Sequence, residues 1–137
     1  MSSLELRRDI VIIACAISAG IHGALVPDHF AEGTSAGVGF AAATALLAAL
    51  VVAMTLRPAS ALALAAAAAV LLGLLASYLL ATTTGLPVLH PEPEPVDGLA
   101  IATKAIEAAG LLAALQLLRH DRPAVTATHP QPKGTLT

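Results

Sequence analysis

Charge is scarce in this chain. Only 12% of its 137 residues are Asp, Glu, Lys or Arg, roughly half the share of about 25% usual in soluble domains. Aromatic residues make up 2%, Trp is missing, and Cys15 is the single cysteine. One cysteine excludes an internal disulfide framework and a zinc finger. A net charge of −2 gives no basic face for nucleic acid. The chain has no Gly-rich phosphate loop, no Gly-x-Ser-x-Gly elbow and no haem-attaching Cys-x-x-Cys-His. Ser18 and His22, one helical turn apart, are thin support for a hydrolase. The sequence therefore argues against an enzyme, with metal-bound water the one catalytic route left open.

What the chain has is Ala and Leu. Hydrophobic residues reach 57%, with a mean hydropathy of +0.82. They fall into four apolar runs, 10–26, 36–56, 61–81 and 99–118. A bilayer core about 30 Å thick needs roughly 20 helical residues, and each run is near that length. Period-two alternation is absent, and Ala and Leu favour helix. Small side chains suit close helix packing in lipid. The expected fold is all-α, a polytopic bundle of four transmembrane helices within a membrane domain over residues 1–119. The Pro- and Thr-rich stretch 120–137 reads as a disordered cytoplasmic tail. Arg7 and Arg8 precede the first run, but the apolar stretch ahead of Cys15 is about five residues, short for a cleaved signal.

Basic residues set the expected orientation. Arg7, Arg8, Arg57, Arg119, Arg122 and Lys133 all fall on one side if four spans alternate, and the other side has no Lys or Arg outside the spans. The positive-inside rule then predicts a multi-pass plasma-membrane protein with both termini cytoplasmic. The turn at 56–60 makes the middle spans an antiparallel hairpin. The outer segments, 27–34 and 82–98, are acidic. Pro87, Pro91, Pro93 and Pro95 favour a stiff, extended path in the second, and Asp97 is placed to cap the fourth helix. Pro27 marks the expected end of the first helix.

Polar residues inside the runs are costly and mark the candidate sites. Lys104 and Glu107, three apart, share a helix face and pair. Their plain reading is a neutralised pair that fixes packing, and their functional one a buried carboxylate that holds a cation, a ligand or a proton. Cys15, Ser18 and His22 form a stripe on the first helix. Cys15 serves as a small apolar residue, and a lone His22 more often bonds backbone or a carboxylate than a metal. The outer ends gather more. Three of five histidines and five of nine carboxylates meet there. If Pro27 opens a helical turn, His29 and Glu32 lie on one face. Two or three imidazoles with one or two carboxylates suit zinc, and also iron or copper(II). The expected metal ligands are His22, His29, Glu32 and His90, with Asp97, Lys104 and Glu107 behind them or along an ion path. The plainer alternative is ordinary solvated loop surface.

The string Ala19-Gly20-Ile21-His22-Gly23-Ala24-Leu25-Val26-Pro27-Asp28-His29-Phe30-Ala31-Glu32 resembles the first hairpin of small, uncharacterised four-span membrane proteins of actinobacteria. Thr83-Thr84-Gly85-Leu86-Pro87 and an acidic residue in the fourth span, here Glu107, resemble further features of that group. Lys104 departs from its pattern. The resemblance implies the topology and singles out His22, His29 and Glu32, and it implies no activity.

The leading expectation is thus zinc handling or sensing at the extracytoplasmic face. One alternative is an accessory subunit that packs on a larger membrane complex through small-residue faces such as Gly37 and Ala41; separately, four helices of this size bury little, which leaves room for a homo-oligomer. The other is a small proton-coupled transporter with Glu107 as its titrating group.

Overall fold

The computed structural model describes residues 2–86, 93 and 95–120. His90, Glu92 and Glu94, most of the proline-rich segment, and the tail beyond His120 lie outside the described residues. Among those described, the chain forms α1 (Ser3–Glu32), α2 (Thr34–Leu56), α3 (Ala61–Thr83) and α4 (Gly98–His120). All four are long and apolar enough to cross a membrane. At about 1.5 Å per residue, a 23-residue helix is roughly 35 Å long, enough for the hydrocarbon core of a bilayer. Neither α2 nor α3 contains a charged residue. These four candidate membrane-spanning helices suggest a multi-pass membrane protein.

Local chemistry fixes the helix ends. At α1, Glu5 N–H donates to Ser2 Oγ (3.2 Å) and Ser2 N–H to Glu5 Oε2 (2.6 Å), a reciprocal capping box. Ser60 Oγ accepts from Ala63 N–H at the start of α3. Asp97 Oδ1 accepts from Ala100 N–H at 2.7 Å, the cap its position predicts. Asp97→Ala should lower thermal stability by about 1 kcal/mol, measured as a shift of the melting midpoint in detergent. Within the apolar helices, Thr44 and Thr103 return their hydroxyls to Phe40 and Leu99 carbonyls at 2.9 and 2.8 Å.

Two expectations need correction. The first helix does not end at Pro27. α1 runs through it to Glu32, and only Gly33 separates α1 from α2. Pro27 removes one N–H, but the chain beyond it stays helical. Gly33 N–H bonds His29 carbonyl at 3.0 Å and the His29 ring bonds Leu25 carbonyl at 3.0 Å. The expected loop is therefore two more helical turns. Gly37, expected on an outward docking face, is buried within the chain, because a Cβ there would fall inside the Phe30 ring.

Helix α1 packs along both α2 and α4, α3 packs on α4, and α2 and α3 touch more lightly. Val11, Cys15, Leu47, Leu71, Ala67 and Ala114 are fully buried at the centre. Large apolar side chains also face outward, Leu62 at 81% and Leu56 at 75% exposed, as lipid-facing residues would. Helix α4 comes close to α1 at Gly110, where a Cβ would stand 2.6 Å from Ala14 Cβ and 3.2 Å from Leu71 Cδ1. That close approach lies one turn from Glu107 and brings the polar stripes of the two helices together.

Candidate functional site

At the end of the bundle formed by the C-termini of α1 and α3 and the N-termini of α2 and α4, a cleft of about 590 Å³ opens. Helix α1 supplies His22, Leu25, His29 and Glu32 to it. Continuing α1 past Pro27 places these four on one face, since their spacings of three, four and three follow the helical repeat. Phe40 comes from α2, Tyr78 from α3, Thr103 and Lys104 from α4, and Asp97 from the α4 cap. The chain has two Phe and one Tyr, so two of its three aromatic residues line this cleft.

Behind the lining lies a buried polar network. Lys104 Nζ donates to Glu107 Oε2 at 2.7 Å, the ion pair the sequence predicts. Ser18 Oγ donates to Glu107 Oε1 at 2.6 Å, which joins α1 to α4. Glu107 and Ser18 are fully buried, and His22 is 7% exposed. Both Glu107 oxygens thus have a donor, as a buried carboxylate requires. His22 Nδ1 lies 2.9 Å from Ser18 carbonyl and 3.3 Å from Ser18 Oγ. A carbonyl only accepts, so Nδ1 carries a proton, and in the neutral ring Nε2 holds the lone pair. The Lys104 ammonium sits 5.5 Å from the Tyr78 ring centroid, within cation–π range. The Tyr78 hydroxyl is buried, with no hydrogen-bond partner among the described residues. A buried orphan hydroxyl in a cleft wall is a position for water or a ligand atom.

The expected site residues therefore divide. His22, His29, Glu32, Asp97 and Lys104 share one cleft, and Glu107 lies directly behind Lys104. His90 lies outside the described residues. Among those described, no three His, Cys, Asp or Glu side chains come together as a metal-ligand group. The Phe40 ring contacts both imidazoles instead, stacking on His29 at 3.5 Å between centroids and lying 5.2 Å from His22. Cys15 is buried in the apolar core. Phe40, Tyr78 and the Ser18–Glu107 bond are the additions the structure makes. Phe40 and Tyr78 had a sequence signal, as lone aromatics in Ala- and Leu-rich helices. The bond between Ser18 and Glu107 had none.

No family model matches the chain, and neither a curated protein nor a solved structure shows significant similarity to it. The likeness to four-span proteins noted above stands on the quoted residues alone.

Proposed function

We propose that the protein is a multi-pass cell-membrane protein with both termini in the cytoplasm, and that it acts as a small proton-coupled transporter whose solute binds in the cleft. The membrane reading rests on four long apolar helices and their outward-facing Leu, Ile and Val residues. Its orientation rests on charge. Arg7, Arg8, Arg57 and Arg119 belong to one end of the up-and-down bundle, beside Glu5 and Asp9, and among the described residues the other end has no Lys or Arg outside the helices.

The observation that carries the transport reading is the path of hydrogen-bonding groups from the cleft to a buried carboxylate, His22–Ser18–Glu107. A proton taken up at His22 Nε2 releases the Nδ1 proton to Ser18 Oγ, whose own proton passes to Glu107 Oε1. Neutral Glu107 no longer holds Lys104 as an ion pair. The ammonium, already at the cleft wall, is then free to meet solute, and the α1–α4 link weakens at the same moment. Among the described residues, the polar, titratable or charged groups facing Glu107 are Lys104 on its own helix and, on α1, Ser18 with His22 behind it and the Cys15 thiol. Tyr78 of α3 faces Lys104.

The test is uptake by proteoliposomes under an inward proton gradient, from a mixture of amines, amino acids and organic acids read by mass spectrometry. Wild type should accumulate a solute, and Glu107→Gln should fall to the empty-liposome level. Equal accumulation by Glu107→Gln would remove the proposal.

One observation favours a second reading. Both His22 and His29 bond a backbone carbonyl through Nδ1, which orients Nε2 as a ligand in the way metal-binding histidines are usually held. On this reading zinc, or copper or iron, would be held by His22, His29 and Glu32 in the cleft, with His90, which lies outside the described residues, as the fourth ligand the sequence predicts. Elemental analysis of untagged protein should then find about one metal ion per chain, lost in His29→Ala. Metal at background in the wild type would rule it out.

A further inference from the structure

The opposite end of the bundle carries a second cleft, of about 460 Å³. Arg8 reaches it from the second turn of α1, and Arg57 from the end of α2. Met54 and Leu64, both buried, form its apolar wall. Ser60 also lines it, at the N-terminus of α3, where the first-turn N–H groups bring positive potential. Among the described residues the one ion pair is Lys104–Glu107, so no described carboxylate lies within 4 Å of either guanidinium, although Glu5, one turn before Arg8 on α1, feels the Arg8 charge. Two guanidinium groups from separate elements beside one concavity are suited to forked hydrogen bonds with phosphate oxygens. Flanking the turn, Leu56 and Leu62 are among the most exposed apolar residues of the chain, at 75% and 81%.

We infer that this cleft binds a phosphate-bearing anion, the headgroup of an anionic phospholipid whose acyl chains run along Leu56 and Leu62. Basic pockets between spanning helices hold such headgroups on the cytoplasmic side, the side proposed above for Arg8 and Arg57. The lipid as source rests on that membrane reading. The phosphate chemistry does not depend on the transport reading, and Glu107 plays no part in it. Arg7 and Arg119 belong to the same end but do not line the cleft. They separate a built site from a general attraction of basic residues to an anionic surface.

The experiment is native mass spectrometry of the full chain in mild detergent, mixed with equal amounts of phosphatidylglycerol and phosphatidylcholine. Wild type should retain phosphatidylglycerol in preference. Arg57→Gln, at an exposed turn where folding is least at risk, should weaken retention about tenfold or more, the loss expected for a charge-assisted hydrogen bond. Arg8→Gln should act likewise, and Arg119→Gln should change nothing. If millimolar inorganic phosphate displaces the lipid from wild type, free phosphate is also a ligand, held by the same two arginines. Equal retention of the two lipids, or unchanged retention in the Arg8→Gln/Arg57→Gln double variant, would overturn the inference. The transport test on Glu107→Gln is untouched by either result.

Discussion

Lys104→Met should destabilise the bundle by about 3–5 kcal/mol, the cost of leaving a buried carboxylate without its counter-charge. Glu107 is fully buried, and Ser18 alone would remain to satisfy it. The reverse change, Glu107→Leu, should cost less. The Lys104 side chain keeps 17% exposure at the cleft wall and has the length to turn its ammonium toward solvent. The double variant, with both charges gone, should recover most of the loss, since replacing a buried ion pair by apolar residues of similar volume is often neutral. Ser18 then returns its hydroxyl to the carbonyl one turn back on α1, as Thr44 and Thr103 do on their helices. Unfolding of the four proteins in a denaturing-detergent titration measures the cycle. Losses that simply add would mean that the pair is not coupled in the folded protein.

Gly110→Val should cost about 1–3 kcal/mol, the range for overpacking a close contact, and should also disturb the polar network. The new Cβ would stand 2.6 Å from Ala14 Cβ. Ala14 Cβ is fixed to the α1 backbone, so it cannot turn aside as the tip of a long side chain would. The helices must separate, and the 2.6 Å bond between Ser18 and Glu107, one turn away, lengthens with them. Gly110→Ala should show the same effect in smaller measure. Ala14→Gly in the same chain should restore much of it by making room. Melting midpoints of the single and double variants give the result, and a Gly110→Val protein as stable as wild type would contradict the close packing of α1 on α4.

The helices are largely legible because each apolar run is long and only sparsely interrupted by polar residues. The extent of α1 is not. Its start carries a readable signal, Ser2 and Glu5 at capping-box spacing. Its end is not legible, because Pro27 looks like a stop, whereas the seven-position step from His22 to His29 is also the spacing of one helical face. Lys104 with Glu107 was visible as a pair, since three residues along one helix decide it. The Ser18–Glu107 bond joins positions 89 apart and depends on α1 lying beside α4. Nothing in a run of Ala and Leu says which neighbour a helix takes, because α2 and α3 are apolar on every side. Gly37 failed for the same reason: a small residue suits a close approach, but not a particular one, and here the approach is by Phe30 of the same chain.

For the protein to couple solute to protons, Glu107 must exchange a proton with the cleft while the bundle stays folded. Infrared difference spectra of the protein in lipid vesicles, recorded as pH is stepped down and back, test it most directly. Wild type should show a protonated-carboxyl band that appears and vanishes reversibly and is missing from Glu107→Gln. His22→Phe, which interrupts the path through Ser18, should slow its appearance after a pH jump. A carboxylate band at Glu107 that stays unchanged until the helices unfold would make the residue a fixed clamp between α1 and α4 and end the transport account.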